Sequence, residues 1–468
     1  MAGRKHPVYE AVTVEDLAAE GKAICRIDQM VVFVKGAVPG DVVDLQIGRK
    51  RKRFAEARIL RFRAYSPDRQ EPVCRHFGIC GGCKWQQLPY PLQLRAKEKQ
   101  VVDTLRHLSK VSIPEPDPIM GSQSSEYYRN KLEYTFSSRR WLTSEEISSG
   151  DSFSEMPGAG FHVQGRYDRV VDLVHCHLQE EPTNLIRNLS RSFALENGME
   201  FYDFTSFTGL MRNLIIRNST TGELMVIYSF REERPEIFRL MDHILDRVPG
   251  ITSMMYTINP KKNETLYDLD IICYRGKDHI IEKLGDLNFK IGPKSFFQTN
   301  SRQAHAMYEK VKEFAALTGK ENVYDLYTGT GSIAIYLARY AAGITGIESV
   351  PEAIEDAREN AALNGIANTR FLAGDMRDLF TEDFIAGYGR PDVVITDPPR
   401  AGMHPDVVKR LLDAAPGRIV YVSCNPATQA RDLELLAEKY RVTRIQPVDM
   451  FPHTHHVENI ALLEIITS

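Results

Sequence analysis

The amino-acid sequence predicts a multidomain protein of the α/β and β classes, in which a small N-terminal β-barrel and a central α+β domain precede a C-terminal Rossmann-like domain. Three observations support this fold class. The chain of 468 residues is too long for one ordinary hydrophobic core. Short strands separated by Gly and Pro open the chain, and strands alternate with helices around a glycine-rich turn from Asn322 onward. We therefore expect domains at residues 1–65, 66–285 and 286–468.

The composition is that of a water-soluble globular chain. Hydrophobic residues make up 43% and charged residues 26% of the sequence, and the mean hydropathy is -0.31. No window approaches the roughly 18 consecutive apolar residues of a membrane span, and no secretory apolar segment follows the basic start MAGRK. We expect a cytoplasmic protein with no membrane partner and no obligate protein partner. Seven cysteines are too few for a disulfide scaffold, so they indicate metal binding or catalysis.

The N-terminal region predicts a β-barrel that binds a phosphate backbone. Short apolar strands at 30–34 and 41–47 are separated by turn residues, as in small closed barrels. Within residues 49–63, eight of fifteen residues are Lys or Arg and only Glu56 is acidic. The net charge of -3 hides this local basic run. Residues 66–72, rich in Pro and polar residues, predict a linker.

Four cysteines predict a site made of thiolates. Cys74, Cys80 and Cys83 follow a C-x5-C-x2-C pattern with two glycines between the last pair, which lets the backbone bring the sulfur atoms together. Cys176, inside a Val-His-Cys-His-Leu segment, is the best fourth member. Such a site holds either zinc or an iron–sulfur cluster, and spacing alone does not decide between them.

The rest of the central region is expected to be mixed in structure. Cys25 of the N-terminal region and Cys273 of the central region lie among apolar residues and are predicted to be buried core residues. The segment 139–160, rich in Ser, Gly and acidic residues, predicts a mobile loop. Periodicity predicts the following elements: an amphipathic helix at 92–108 that packs on the C-terminal domain, strands at 214–217 and 224–229, and a helix near 237–248.

The segment after Asn322 predicts a nucleoside-binding site. An apolar strand ends at Asp325, the turn Thr-Gly-Thr-Gly follows at 328–331, and an apolar helix begins. About twenty residues later the next strand ends at Glu348, which is placed to accept hydrogen bonds from ribose hydroxyls. The combination of strand, turn, helix and acid predicts a nucleoside ligand.

Two features favour S-adenosylmethionine over a dinucleotide. The turn lacks the third glycine of the dinucleotide fingerprint, so close pyrophosphate contact is not indicated. Asp375 follows a further strand, at a loop suited to an adenine edge. Asp397 opens an Asp-Pro-Pro-Arg segment at the carboxyl end of another strand, where ligands bind in open α/β sheets.

A cysteine at the end of the next strand predicts covalent catalysis. Cys424 lies in Val-Ser-Cys-Asn-Pro, where the Asn-Pro turn fixes the direction of the thiol. Attack of a thiolate on carbon 6 of a pyrimidine makes carbon 5 nucleophilic toward a methyl donor. Glu458, at the start of the last apolar strand, is the candidate base for the carbon-5 proton. His453, His455 and His456 lack metal-ligand spacing and are expected to line the substrate entrance.

Several motifs together resemble one family. The residues SCNPAT around Cys424, DPPR at 397–400, HVE ending at Glu458 and the four-cysteine pattern resemble the bacterial RNA (uracil-5-)-methyltransferases, in particular the iron–sulfur members that act on 23S ribosomal RNA. The resemblance spans nearly the whole chain. It implies a TRAM (OB-like) barrel that binds RNA, a central domain with a [4Fe-4S] cluster, and a C-terminal class I S-adenosylmethionine-dependent methyltransferase domain.

The same resemblance implies roles for individual residues. Cys424 is the implied nucleophile and Glu458 the implied base. Ser332 stands where the family often has Asn, so a shorter hydroxyl replaces an amide, and Thr328 stands where related enzymes have Cys. The implied cluster ligands are Cys74, Cys80, Cys83 and Cys176. The implied contacts to the methyl donor are Gln298, Tyr327, Ser332, Glu348, Asp375 and Asp397.

The predicted function is therefore methylation of carbon 5 of a uridine in RNA, with 23S ribosomal RNA as the expected partner. A stacked base hides carbons 5 and 6, so the uridine must lie in a loop or be flipped out, and Phe296 or Phe297 is placed to stack on it. The nearest alternatives act on a transfer RNA uridine or on an RNA cytosine. An alternative of another class is an iron–sulfur RNA-binding protein without catalytic activity.

Overall fold

The computed structural model of the protein describes residues 7–149 and 156–466. The N-terminal residues form a closed barrel with strand order β1-β2-β3-β5-β4. Its core is made of alternating apolar side chains, including Val14, Val32 and Leu45. The prediction of a small N-terminal barrel is confirmed. Its strands are β1 (Val8–Leu17), β2 (Ala23–Ile27), β3 (Met30–Val34), β4 (Val42–Lys50) and β5 (Phe54–Ala64).

The segment after the barrel is fixed to it. Asp41 is fully buried and accepts hydrogen bonds from the backbone N–H groups of Val38 and Ser66. Arg69 donates to both oxygens of the same carboxylate and packs against the ring of Phe62. Residues 66–72, predicted as a linker, are therefore anchored to the barrel at this charged pair.

The central part is a seven-stranded sheet with order β12-β11-β10-β9-β6-β7-β8. All its pairs are antiparallel except β10 with β11. The helices of this region are α1 (Tyr90–Leu108), α2 (Ser144–Ser148), α3 (Thr183–Glu196) and α4 (Pro235–Arg247). Its strands are β6 (Lys131–Ser137), β7 (Gly158–His162), β8 (Val170–Asp172), β9 (Met211–Asn218), β10 (Leu224–Phe230), β11 (Ser253–Ile258) and β12 (Ile272–Gly276).

A hairpin of β13 (Ile280–Leu284) and β14 (Leu287–Ile291) leads into a second seven-stranded sheet with order β17-β16-β15-β18-β19-β21-β20. Its strands are β15 (Asn322–Leu326), β16 (Gly343–Glu348), β17 (Thr369–Ala373), β18 (Val393–Thr396), β19 (Arg418–Ser423), β20 (Tyr440–Val448) and β21 (Glu458–Ile465). The helices are α5 (Ser301–Ala315), α6 (Ser332–Leu337), α7 (Pro351–Leu363), α8 (Met376–Leu379), α9 (Glu382–Tyr388), α10 (Pro405–Ala414) and α11 (Pro426–Leu436). The near-continuous apolar runs of β15 and β18 suit strands that are covered on both faces.

The first five strands of this sheet, in the order given, are parallel to one another. Strand β21 pairs antiparallel with β19, and β20 pairs antiparallel with β21. This is the doubly wound architecture that the sequence predicted for the C-terminal part. Helix α1 comes from the preceding region but packs here, since Val101 and Leu105 share an apolar cluster with Val408 and Val457.

Two expectations for the central region need correction. Cys25 lies in the barrel core as predicted, but Cys273 is exposed on the edge strand β12, so the prediction of a buried core residue is wrong there. The apolar sequence around Cys273 belongs to a strand with only one neighbour in the sheet, which leaves the thiol at the surface. Of the predicted loop at 139–160, residues 150–155 lie outside the described residues; the remainder includes α2 and the start of β7.

Helices of the described ranges are too short or too polar to cross a membrane.

Candidate active site

The catalytic candidates lie at one edge of the C-terminal sheet. Strands β15, β16, β18 and β19 run parallel, so their carboxyl ends meet at this edge. Strand β21 runs antiparallel to β19, and Ser423 pairs with Asn459. Cys424 and Glu458 are the next residues beyond this pair. The topology therefore brings the predicted nucleophile and the predicted base to the same place.

The turn after β19 fixes the direction of Cys424. The Ser423 hydroxyl accepts a hydrogen bond from the N–H of Asn425 at 3.1 Å. The Asn425 side chain accepts from the N–H of Ala427 at 3.1 Å and caps α11, and Pro426 occupies the first turn of that helix. The Cys424 side chain stays partly exposed, so a ligand can reach the sulfur.

Three charged side chains set the electrostatics around the thiol. Burial raises the pKa of Cys424 to about 11, and the carboxylates of Glu458 and Asp397 raise it too, whereas Arg400 opposes the shift. Burial also raises the pKa of Glu458 to about 8, again with Asp397 adding to the shift and Arg400 opposing it. The raised pKa makes Glu458 a better proton acceptor when it is ionised. Arg400 favours the charged forms of both groups.

Two further carboxyl groups lie at the same edge. Burial raises the pKa of Asp397 to about 7, and the nearby Asp325 contributes to the shift. Burial likewise raises the pKa of Asp325 to about 7, although its Oδ2 accepts a hydrogen bond from the Thr328 hydroxyl at 2.5 Å. A cation bound beside these groups would favour their ionised forms. The pair therefore suits a positively charged ligand, and the sulfonium of S-adenosylmethionine is one.

The glycine-rich turn adopts a conformation that glycine favours. Gly329 and Gly331 have φ values of 55° and 76°. A side chain at Gly331 would clash with Phe371, whereas a Cβ at Gly329 would meet open space. The N–H of Gly329 donates to Glu348 Oε2 at 3.2 Å, so the acid at the end of β16 is held against the turn.

The remaining predicted donor contacts have the following positions. Tyr327 is partly exposed and has a positive φ of 64°, a strained value for a bulky residue that directs it out of β15. The Ser332 hydroxyl is 2.8 Å from the Tyr308 hydroxyl. Asp375 caps α8 and is bound by the Arg377 guanidinium, which holds its pKa at about 2.

The predicted segment before α5 lies close to the glycine-rich turn. The Thr330 hydroxyl donates to the Phe296 carbonyl at 3.3 Å, which ties this segment to the turn. The carbonyl of Gln298 accepts from Asn130 Nδ2 at 2.9 Å, and its side chain is partly exposed. Phe296 is 68% exposed, whereas Phe297 is buried in the hydrophobic core beside Phe289. Of the two aromatic candidates, only Phe296 is free to stack on a base.

The structure corrects the expectation that three histidines line the substrate entrance for one of them. His453 is buried, its N–H donates to Gln93 Oε1 at 2.9 Å, and its carbonyl accepts from the N–H groups of Lys84 and Trp85. It therefore stabilises a loop, and the prediction that it lines an entrance is wrong. His455 and His456 are partly exposed, with ring centroids 4.1 Å apart.

Comparison with known proteins is consistent with this geometry. The sequence model described as tRNA (uracil-5-)-methyltransferase matches residues 276–466, and the TRAM domain model matches residues 9–60. An uncharacterized RNA methyltransferase of Bacteroides thetaiotaomicron is 55% identical over 96% of this chain and 100% of that protein. One from Porphyromonas gingivalis is 54% identical over 96% of this chain and 98% of that protein.

The chain belongs to the RNA (uracil-5-)-methyltransferase family. A solved structure of the Pyrococcus abyssi tRNA (uracil-54, C5)-methyltransferase with S-adenosyl-L-homocysteine has a TM-score of 0.74 and 29% identity, and covers 96% of this chain and 99% of that chain. As a member of the family, the methyltransferase acts on RNA and takes its methyl group from S-adenosylmethionine. Its closed N-terminal barrel is a TRAM domain.

The four predicted cluster ligands of the methyltransferase come together in the fold. They line one cavity of about 20 Å³, together with apolar side chains such as Phe77 and Leu178. Within the described part of the chain, no group of three or more His, Cys, Asp or Glu side chains is arranged so that it could hold a metal ion. The cavity is lined by Cys74, Cys80, Cys83 and Cys176.

Hydrogen-bond donors surround these thiols. Burial raises the pKa of each, and a neighbouring backbone N–H opposes the shift in three of them: His76 and Phe77 for Cys74, Gly82 for Cys80, and Leu178 for Cys176. For Cys83 the opposing donor is the Gln86 side chain. The Gln86 Oε1 also accepts from the N–H of Cys74 at 3.0 Å, which orients the amide between two of the cysteines.

Sequence reasoning missed two side chains of the methyltransferase site. Arg400 was part of a recognised motif, but its effect on Cys424 and Glu458 depends on three-dimensional proximity. For Asp325 the sequence predicts only that it ends a strand. Its signal was an acid in an otherwise apolar strand, immediately before the glycine-rich turn.

Proposed function

We propose that this protein methylates carbon 5 of a uridine in 23S ribosomal RNA, with Cys424 as nucleophile and Glu458 as base. The observation that carries the proposal is the adjacency of these two residues beyond the Ser423–Asn459 pair, at the edge where the donor-binding turn also lies. A thiol and a carboxylate side by side are what this reaction needs, because one adds to the ring and the other removes a proton from it.

The first step forms a bond between Cys424 Sγ and carbon 6. The thiol first loses its proton to water, and Arg400 favours the resulting thiolate. As the sulfur adds, the electron pair of the carbon 5–carbon 6 double bond moves toward the carbon-4 oxygen and gives an enolate. Carbon 5 thereby becomes nucleophilic.

The second step transfers the methyl group. S-adenosylmethionine supplies a methyl group on a sulfonium, whose bond to sulfur breaks as carbon 5 attacks, and the electron pair stays on the departing sulfur. Asp397 and Asp325 are proposed to lie near this positive charge, and Glu348 to accept hydrogen bonds from the ribose. Gln298, Tyr327, Ser332 and Asp375 are the further proposed donor contacts. The Asp375 carboxylate is bound by the Arg377 guanidinium, so a hydrogen bond from adenine must either add to this contact or replace it.

The last step restores the aromatic ring. Glu458 takes the proton from carbon 5, the double bond to carbon 6 re-forms, and Cys424 leaves as a thiolate. A carboxylate that is largely buried suits this task, because its ionised form is a stronger base than one in water. Glu458 then returns its proton to solvent.

The four cysteines are proposed to hold a [4Fe-4S] cluster. The N–H donors around the sulfur atoms support this proposal, since such donors stabilise thiolate ligands of iron–sulfur centres. A single zinc ion held by the four thiolates is the alternative to a cluster at this position. A cluster here would bridge the segment 74–83 and the loop of Cys176, which are far apart in sequence.

The choice of ribosomal RNA rests on the resemblance of the cysteine pattern to the iron–sulfur members of the family. Transfer RNA is the second candidate, because the solved Pyrococcus abyssi relative is a tRNA (uracil-54, C5)-methyltransferase. In either case the target base must leave its stack. We propose Phe296, exposed beside the donor-binding turn, as its stacking partner.

The test is methyl transfer from labelled S-adenosylmethionine to full-length 23S ribosomal RNA and to transfer RNA transcripts, followed by nucleoside analysis. We expect 5-methyluridine in 23S ribosomal RNA. The same product in transfer RNA alone would reassign the substrate, 5-methylcytidine would refute the uracil assignment, and no product in either would support a binding protein without activity.

A further inference from the structure

The loop before Glu458 is held by a helix from outside the C-terminal sheet. Residues 449–457 connect β20 to β21 and lead directly to the proposed base. Helix α1 lies along this loop, and Val457 shares an apolar cluster with Val101 and Leu105 of the helix. We refer to residues 449–457 as the base loop.

A buried ion pair fixes the start of the base loop. Lys97 of α1 and Asp449 are both fully buried, and Lys97 Nζ is 2.5 Å from Asp449 Oδ1. The same ammonium donates to the Phe451 carbonyl at 3.0 Å. Asp449 also accepts from the N–H of Phe451 and from the Tyr90 hydroxyl, each at 3.0 Å. Every oxygen of this carboxylate is therefore engaged, and two loop residues are bound by one lysine.

The middle of the base loop is held by a second residue of the same helix. The Gln93 side chain accepts from the N–H of His453 at 2.9 Å, and its Nε2 lies 3.1 Å from His453 Nδ1. His453 has a positive φ of 65°, which a non-glycine residue adopts only when its surroundings hold it. Both contacts lie on the face of α1 that carries Lys97.

Stability alone gives little reason for such an ion pair. Replacing a buried ion pair by apolar residues of similar volume is often neutral or stabilising. A fully satisfied buried network does, however, select one arrangement of the groups that it joins. The group that follows this loop is Glu458, whose Oε atoms must reach one particular hydrogen of the substrate.

We propose that Lys97 is a positioning residue for the proposed base. Its ion pair with Asp449 fixes the conformation of the base loop and thereby orients the carboxylate of Glu458 toward the carbon-5 proton. This inference rests on the proposed function. Lys97 touches neither RNA nor methyl donor in this role. Cys424 follows β19, and Asn425 caps α11 in the turn after it. Neither of these contacts involves Lys97 or Asp449, so we expect the first two steps to proceed without the pair.

If Lys97 positions the base, its loss should slow only the removal of the carbon-5 proton. If the proton on carbon 5 is removed slowly, the bond from Cys424 to carbon 6 persists after methyl transfer. A protein–RNA adduct that survives denaturation then accumulates on ordinary uridine RNA, without any fluorinated base. A purely structural defect would lower adduct formation and product formation together.

The test compares Lys97→Met with Lys99→Met in the full-length protein. Lys99 lies on the same helix but is exposed, with ion pairs to Asp16 and Asp103. We expect Lys97→Met to lower kcat by roughly 10- to 100-fold, as for a base displaced by about 1 Å, and to lower the apparent KM for RNA as well, because RNA accumulates as the covalent adduct. The methylated adduct should rise several-fold over the parent protein at steady state. Lys99→Met should match the parent in both measurements.

A milder variant keeps the test decisive if Lys97→Met does not fold. Tyr90→Phe removes only the hydroxyl that joins Asp449 to the N–H of Ser122, and should show the same adduct increase with a smaller loss of kcat. Equal losses of adduct and product in the folded variants, or no change in either, would overturn the role of Lys97. If the parent protein itself forms no 5-methyluridine, the proposed function fails instead.

Discussion

Ser423 pairs with Asn459 across an antiparallel ladder, which places Cys424 and Glu458 side by side at the edge of an otherwise parallel sheet. A parallel strand alone would present only its carboxyl end here. The antiparallel strand β21 begins at the edge where β19 ends, so one site receives a thiol from the end of one strand and a carboxylate from the start of another.

Arg400 should set the pH dependence of the reaction. It opposes the rise in pKa of both Cys424 and Glu458, and both groups must lose a proton to act. Arg400→Gln should therefore shift the rising limb of the kcat–pH profile to higher pH by about 1 unit. Single-turnover rates between pH 6 and pH 10 measure this. Arg441→Gln, an exposed arginine of β20, should leave the profile unchanged; a profile that is the same in Arg400→Gln would contradict the role.

Glu458 should destabilise the fold at high pH. Burial raises its pKa to about 8 in the native state from an ordinary value near 4.5. The native state thus holds the proton more tightly than the unfolded state, so this contribution to stability is full below about pH 4.5 and is lost as the pH rises through about 8. Glu458→Gln, which stays neutral, should raise the melting temperature more at pH 9 than at pH 6. Thermal unfolding at both values measures the difference, and an equal change at both would count against the raised pKa.

Loss of one cysteine should remove the proposed cluster. Cys176→Ser should lower the iron and sulfide content of protein purified without oxygen to the background level, because the other three thiols come from a separate segment of the chain. The exposed Cys273 gives the matched control, and Cys273→Ser should retain the content of the parent. Stoichiometric zinc in the parent protein, with little iron, would contradict the cluster.

The basic turn of the barrel should contribute to RNA affinity through phosphate contacts. Residues 49–53, at the end of β4 and in the turn before β5, are five consecutive exposed Lys or Arg residues. Arg51→Glu should weaken RNA binding and reduce the slope of log K against log salt by about 0.7 or more. Filter binding at several salt concentrations measures this. Arg239→Glu, on the exposed side of α4, should change neither quantity; an unchanged slope in Arg51→Glu would exclude the turn from the interface.

The local pattern of apolar, polar and glycine residues is enough to predict the N-terminal barrel and the Rossmann-like half of this protein. Alternation of apolar residues predicted the barrel strand 30–34 with its observed bounds, and the strand, turn and acid around Glu348 predicted the Rossmann-like half. The thiol of Cys424 was predictable because a polar turn follows an apolar strand. Each of these features lies within a few residues of sequence.

What sequence could not supply were contacts between distant segments. Lys97 and Asp449 are 352 residues apart, and neither stands out as a buried residue on an amphipathic helix or in a polar loop. In the sequence His453 belongs to a polar cluster. In the structure its backbone N–H donates to a side chain of α1, and its carbonyl accepts hydrogen bonds from the residues that follow the cysteine segment. Cys273 looked apolar in context, and only the sheet order shows that β12 is an edge.

The most direct test of covalent catalysis is trapping on RNA that carries 5-fluorouridine. Fluorine at carbon 5 cannot be removed as a proton, so the Cys424–carbon 6 bond should persist once the methyl group has been transferred. With S-adenosylmethionine present, we expect a denaturation-resistant complex whose peptide mass places the nucleotide on Cys424. Cys424→Ala should give none, and Cys273→Ala the full amount. Absence of the complex from the parent protein, or a crosslink at another residue, would contradict the mechanism.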